Sequence, residues 1–167
     1  AIKAAVANVD FKAKSEKMMR IPTLNGLEGA LLLIGLGHAK DHTSLALEKL
    51  GAKLIPGLSC IRVKTAAIDL SDIESTKTLS APEMIAYVAS GALIRSWKFD
   101  KYKTKREKDE IPVLEELVFV TPDVGASQKA FDELLAVAEG NHLTRLVVSE
   151  PPNVIYPESM ANHAMEL

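Results

Sequence analysis

The 167-residue chain is 47% hydrophobic and 25% charged, with a net charge of −2. That balance excludes a disordered chain, which needs fewer apolar residues and more net charge, and it gives polyanions no global attraction. No uninterrupted apolar stretch nears the ~20 residues of a membrane span, and one cysteine, Cys60, cannot close an internal disulfide, which fits a reducing cytoplasm.

Taken in chain order, the opening residues Ala1 to Ala7 read as helix interior with no cap ahead of them. Met165-Glu166-Leu167 likewise stops within a helical pattern, so the sequence is expected to be a piece of something longer. From about Glu16 to Leu24 there is strand character, weakened by Pro22. Residues 29–37, Gly-Ala-Leu-Leu-Leu-Ile-Gly-Leu-Gly, form a short apolar run suited to a strand buried on both faces. A helix is expected from about Thr43, with Leu47, Leu50 and Leu54 on one stripe and a stop at Pro56-Gly57. Arg62 to Leu70 then reads as a second strand, so that strand, helix and strand suggest a βαβ unit.

Ser80-Ala81-Pro82-Glu83 is a capping box opening a helix over 81–97. That helix is apolar on nearly every side, through Met84, Ile85, Tyr87, Val88, Leu93, Ile94 and Trp97, and is expected to be sandwiched between layers. Residues 114–120 give a third strand, broken by Thr121-Pro122-Asp123. A helix over 126–148 comes next, about 35 Å long at 1.5 Å per residue, and Pro151-Pro152 ends it. The expected fold is α/β and layered, with a mixed or largely parallel sheet flanked by helices.

Few residues suggest chemistry. Gly35-Leu36-Gly37 after a strand invites a dinucleotide reading, but the third glycine of that fingerprint is Lys40 here, so a tight structural turn is the simpler account. His38-Ala39-Lys40-Asp41-His42 superficially matches a zinc signature with Asp for Glu; the plain alternative has Asp41 or Thr43 capping the next helix and both histidines in solvent. Lys98, Lys101, Lys103, Lys105, Arg106 and Lys108 are interleaved with Phe99 and Tyr102, a pattern that can bind nucleic acid. Asp109, Glu110, Glu115 and Glu116 come directly after and cancel the field, which favours a solvated loop or a surface docked on a partner domain. Cys60 has no activating neighbour and reads as an inert, partly buried thiol. Met84, Tyr87 and Trp97 stand at core spacings.

Three stretches carry a resemblance. Leu146 to Ala161, with Glu150-Pro151-Pro152-Asn153, resembles the interdomain segment of the leucyl (cytosol) aminopeptidase family, although Ser149 stands where the family more often has asparagine. Ser96-Trp97-Lys98-Phe99-Asp100-Lys101-Tyr102-Lys103-Thr104-Lys105 is similar to the aromatic-basic motif of that family's N-terminal domain, with Trp97 for the usual tyrosine. Leu32 to Gly37 is similar to its strand and GLG turn.

The resemblance implies a parent enzyme that is a cytoplasmic, hexameric exopeptidase removing N-terminal residues, often leucine, with two divalent ions such as zinc, manganese or magnesium. One ion would polarise the scissile carbonyl while a bridging water attacks. The family's metal-binding motifs do not occur in residues 1–167, so no catalytic, cofactor-binding or metal residue is assigned. What is implied is a non-catalytic, macro-domain-like N-terminal domain over 1–148 and the truncated start of the metallopeptidase domain over 149–167. Its partners would be its own catalytic domain and other copies in a hexamer. The family's first strand would precede Ala1, leaving a sheet edge or groove unpaired. Two alternatives stand beside this: a module holding a nucleotide or ADP-ribose near Gly35–Gly37, and a DNA-contacting surface at Lys98–Lys108.

Overall fold

The protein is described by a computed structural model that covers residues 6, 11–21, 29–105 and 113–165. The expectations for Ala1–Ala7 apart from Val6, for 22–24, for Arg106–Glu110 and for the last two residues lie outside the described residues.

Strand β1 (Met18–Ile21) pairs antiparallel with β2 (Leu31–Ile34), Met18 facing Ile34 and Ile21 facing Leu31. A 3-10 turn at Ala39–Asp41 leads to helix α1 (Ser44–Ile61). Then come β3 (Thr65–Asp69), α2 (Ala81–Ser96), β4 (Glu116–Val120), α3 (Val124–Ser149) and α4 (Pro157–Met165). Strand β4 runs parallel to β3, with Thr65 opposite Glu116 and Asp69 opposite Val120. The architecture is thus mixed α/β, two small sheets flanked by helices.

The βαβ unit is one step later than the sequence suggests. Among the described residues β2 bonds only to β1, and the parallel pair joined by a crossover helix is β3-α2-β4. Alternation of strand and helix in sequence fixes the layers but not which strands are neighbours.

Two local expectations are corrected. Helix α1 does not stop at Pro56-Gly57 but carries Pro56 inside and continues to Ile61. Pro56 is exposed, and the turn after it still buries Leu58 while Ser59 Oγ donates to the Ile55 carbonyl at 2.8 Å. Burial of that last stripe residue outweighs the one missing N–H. Cys60 is exposed rather than partly buried, because it falls off the Leu54–Leu58 stripe.

Two caps are where the sequence places them, at Thr43 and Ser80, and Asp123, expected only as part of a strand break, supplies a third. Thr43 Oγ1 accepts from Ala46 N at 3.2 Å, and Asp123 Oδ1 accepts from Ala126 N at 2.9 Å. The capping box closes both ways: Ser80 Oγ accepts from Glu83 N and Ser80 N donates to Glu83 Oε2 at 2.7 Å. Those Ser80 hydrogen bonds, the hydroxyl's first, hold the Glu83 carboxyl below the usual carboxylate range.

The core lies between α1 and α2. Leu47, Leu50, Leu54 and Leu58 meet Met84, Ile85 and Val88, with Ile68, Leu117 and Phe119 of the β3–β4 sheet beneath. The helices cross at two glycines. A Cβ on Gly51 would overlap the Val88 carbonyl, and one on Gly91 would overlap the Glu48 carbonyl. Each helix therefore presses its backbone against the other's. Helix α2 also meets α3, and its middle, between Met84 and Ala92, is mostly buried, while Tyr87, Leu93, Ile94 and Trp97 are half-buried.

Substituting Gly91→Val should lower unfolding stability in urea by about 3 kcal/mol, since neither backbone can yield. Gly140→Ala, on the exposed side of α3 with open space at its Cβ, should instead raise it by about 0.5–1 kcal/mol. Similar effects at the two sites would contradict the close crossing.

Candidate functional site

The last turns of α2 and α3 run together into one polar and aromatic cluster. A helix ends with four carbonyls lacking intrahelical partners, and α2 ends against protein. His142 and Arg145 of α3 fill that need: His142 Nε2 donates to the Leu93 carbonyl at 3.2 Å and Arg145 Nη1 to the Ile94 carbonyl at 2.7 Å. Ser96 Oγ donates to Leu93 as well, at 2.7 Å. The Arg145 guanidinium sits 6.0 Å from the Trp97 ring centroid, within range of a cation–π contact. Trp97 stacks on Phe99 at 6.2 Å, and Phe99 meets Tyr102 edge to face at 5.8 Å.

Glu150, the residue capping the end of α3, completes the cluster. Its side chain is only 5% exposed, and its two oxygens take two donors, Lys101 Nζ on Oε1 at 2.7 Å and Tyr102 Oη on Oε2 at 2.5 Å. The Lys101 hydrogen bond, then that of Tyr102, holds the Glu150 carboxyl below the usual glutamate range. Glu150 in turn raises both partners, Tyr102 and Lys101, chiefly through the same hydrogen bonds. This junction joins two segments that stand out separately in the sequence, 96–105 and 146–161. Glu150 as the anchor between them is not readable from spacing, since its partners lie 48 and 49 residues away.

The other candidates separate. Gly35 and Gly37 serve the chain's own backbone. Gly35 N donates to Lys17 O at 2.7 Å, Glu16 N to Gly35 O at 3.0 Å and Gly37 N to Ala13 O at 3.1 Å. A Cβ on Gly35 would overlap the Lys14 carbonyl, and Gly37 holds φ +75°, a conformation that favours glycine. The structural-turn reading accounts for both glycines. His38 and His42 flank a 3-10 turn instead of sharing one face of an α-helix, and His42 Nε2 is 3.0 Å from the Leu36 carbonyl, with which it hydrogen-bonds. Thr43, not Asp41, caps α1. Among the described residues no group of three or more His, Cys, Asp and Glu comes together, so the side chains present do not fit a divalent metal centre. In the basic stretch, Lys101 is committed to Glu150, while Lys98, Lys103 and Lys105 are not buried; Arg106 and Lys108 lie outside the described residues. A cavity of about 710 Å³ opens between α2, β4 and the start of α3, and residues such as Ile85, Leu93, Leu117 and Phe131 make its wall largely apolar. Among the described residues no helix is long and apolar enough to cross a membrane.

Residues 1–106 match the N-terminal domain of the cytosol aminopeptidase family. The chain belongs to that family. A probable cytosol aminopeptidase of Rhodopseudomonas palustris is 35% identical over 168 residues, covering 99% of this chain and 33% of that protein. One from Methylorubrum extorquens is 35% identical over 164 residues, covering 98% and 32%. The chain thus spans about a third of the length of these aminopeptidases. Among solved structures, the bottromycin maturation enzyme BotP in complex with Mn superimposes with a TM-score of 0.78 at 25% identity, over 99% of this chain and 33% of that one. A tomato leucine aminopeptidase mutant gives 0.78 at 22% identity, covering 99% and 32%, a likeness of fold. The cytosol aminopeptidase family is one of peptide hydrolases, and in these longer relatives the matched region is a single part of the chain.

The direction of the shifts sets a pH window for the junction. Glu150 is lowered, so its contribution is complete above an ordinary glutamate value of about 4.3 and is lost as pH falls through the folded value. Tyr102 is raised, so its contribution is complete below about 10 and is lost as pH rises through the folded value. Accordingly, the stability difference between the parent chain and Glu150→Gln, measured by Trp97 fluorescence in urea, should be widest near neutrality and shrink at both extremes. A difference unchanged between pH 7 and pH 3 would contradict the assignment.

Proposed function

We propose that this chain is the non-catalytic N-terminal region of a leucyl-type cytosol aminopeptidase, and that its role is to pack beside a catalytic metallopeptidase domain supplied by the longer protein. The observation that carries the reading is the match of nearly the whole chain to about one third of the length of family members. The parent would hydrolyse N-terminal residues, often leucine, from peptides in the cytoplasm as a hexamer. Its two divalent ions, manganese, zinc or magnesium, would polarise the scissile bond and activate water. The manganese in BotP supports that cofactor class. No step of hydrolysis is assigned to a residue of this chain.

The domain boundary belongs with this reading. Residues 1–148 form the macro-domain-like unit and 149–167 begin the catalytic domain. Support comes from the end of α3 at Ser149, from α4 having no buried residue, and from exposed Val137, Val148, Tyr156, Met160 and Met165 along α3, the turn after it and α4. Such a row of apolar side chains suits a surface covered by another domain.

The purified 167-residue chain, supplied with manganese, should show no turnover of leucine p-nitroanilide. Mixed with the remaining two thirds of the Rhodopseudomonas palustris relative, expressed separately, it should co-elute on size exclusion and increase turnover. Robust hydrolysis by the 167 residues alone would overturn the assignment.

A further inference from the structure

We propose that Glu150 is a positioning residue that fixes the direction in which the chain leaves α3, by locking the last turn of that helix onto the Lys101–Tyr102 turn. The inference concerns this chain itself and holds whether or not the longer protein hydrolyses peptides.

Beyond Glu150, packing gives little guidance, since α4 has no buried residue. The segment is nevertheless stiff within itself. Val154 N and Ile155 N both donate to the Pro151 carbonyl, at 2.9 and 3.0 Å. Ser159 Oγ accepts from Tyr156 N at 2.9 Å and lies 2.9 Å from the Val154 carbonyl. Residues 151–160 therefore move as a unit, and the joint is at Glu150. Its backbone is extended, φ −71° and ψ 144°, the shape that a following proline imposes. With Pro151 restricting that torsion, the remaining freedom is fraying of the last α3 turn, the usual soft point of a helix.

Three bonds oppose that fraying at Glu150. Its N–H donates to the Leu146 carbonyl at 3.1 Å, and its two carboxylate oxygens are held by different donors from a turn 48 and 49 residues away. A single ion pair lets a carboxylate pivot about one contact. Two donors on separate oxygens fix its plane as well as its place. One to two turns earlier, Arg145 and His142 tie α3 to the end of α2, so the lock acts on a helix whose preceding turns are already seated. An ion pair with an exposed partner adds little to global stability, and Lys101 is largely exposed. The consequence of the lock is geometric.

The test uses the full 167-residue chain, carrying Cys60→Ser with spin labels at Lys53→Cys on α1 and Ala161→Cys on α4. Double electron–electron resonance should give one narrow distance distribution. Tyr102→Phe, which keeps the ring against Phe99 and removes only the hydroxyl, should broaden it, and Lys101→Met with Tyr102→Phe should widen it at least twofold. Lys98→Met, which leaves both donors to Glu150 in place, should leave it unchanged. Amide exchange in α1 and α2 should remain strongly protected in every variant. An unchanged width in the double variant, or core protection lost together with the lock, would each overturn the proposal.

Discussion

Two glycines, Gly51 and Gly91, set the spacing on which the rest of the molecule depends. Because neither carries a Cβ, α1 and α2 approach until each backbone touches the other, and the leucines of α1 interlock with Met84, Ile85 and Val88 at that distance. Held this close to α1, α2 is walled in by the β3–β4 sheet and by α3 as well. The last turn of α2 is half-buried, and α3 provides donors to its final carbonyls through His142 and Arg145. Those two contacts bring the end of α3 beside the aromatic-basic turn. The junction at Glu150 is thus a downstream effect of close helix packing far from it in sequence, and no local feature of residues 146–150 would produce it alone.

Features that suggest a ligand turn out to be spent on the chain itself. Gly35 and Gly37 admit the backbone of residues 13–17, His42 bonds the Leu36 carbonyl, and Lys101 neutralises Glu150. Each is a case in which a residue type suited to binding a small molecule is suited, by the same chemistry, to satisfying main-chain or buried polar groups. This is how a domain with no catalytic cluster among its described residues can still carry glycine turns, paired histidines and a basic run.

Signals confined to a few consecutive residues are readable in the sequence. Ser80 and Glu83 mark the start of α2 through a reciprocal cap, and the apolar run at 31–34 becomes a strand. Signals that depend on competition mislead: Pro56 looks like a stop until the burial of Leu58 is weighed against one lost hydrogen bond. Strand neighbours are not legible either, because β2 and β3 flank a helix just as β3 and β4 do, and only tertiary packing decides which pair bonds. Glu150 is the extreme case. Nothing near it in sequence distinguishes it from a solvated acid, and its meaning comes from a lysine and a tyrosine nearly 50 residues earlier. The family resemblance marks both segments without indicating that they touch.

The order in which these contacts can form during synthesis is set by their place along the chain. Once residue 96 has left the ribosome, α1 and α2 can meet, closing a loop of about 40 residues at modest entropic cost. The parallel pairing of β3 with β4 must wait for Val120, and until α3 is made the carbonyls of Leu93 and Ile94 are open to water. Glu150 emerges later still, and its arrival closes the bonds to Lys101 and Tyr102. This contact can form only after both segments it joins, 101–102 and the end of α3, have been made.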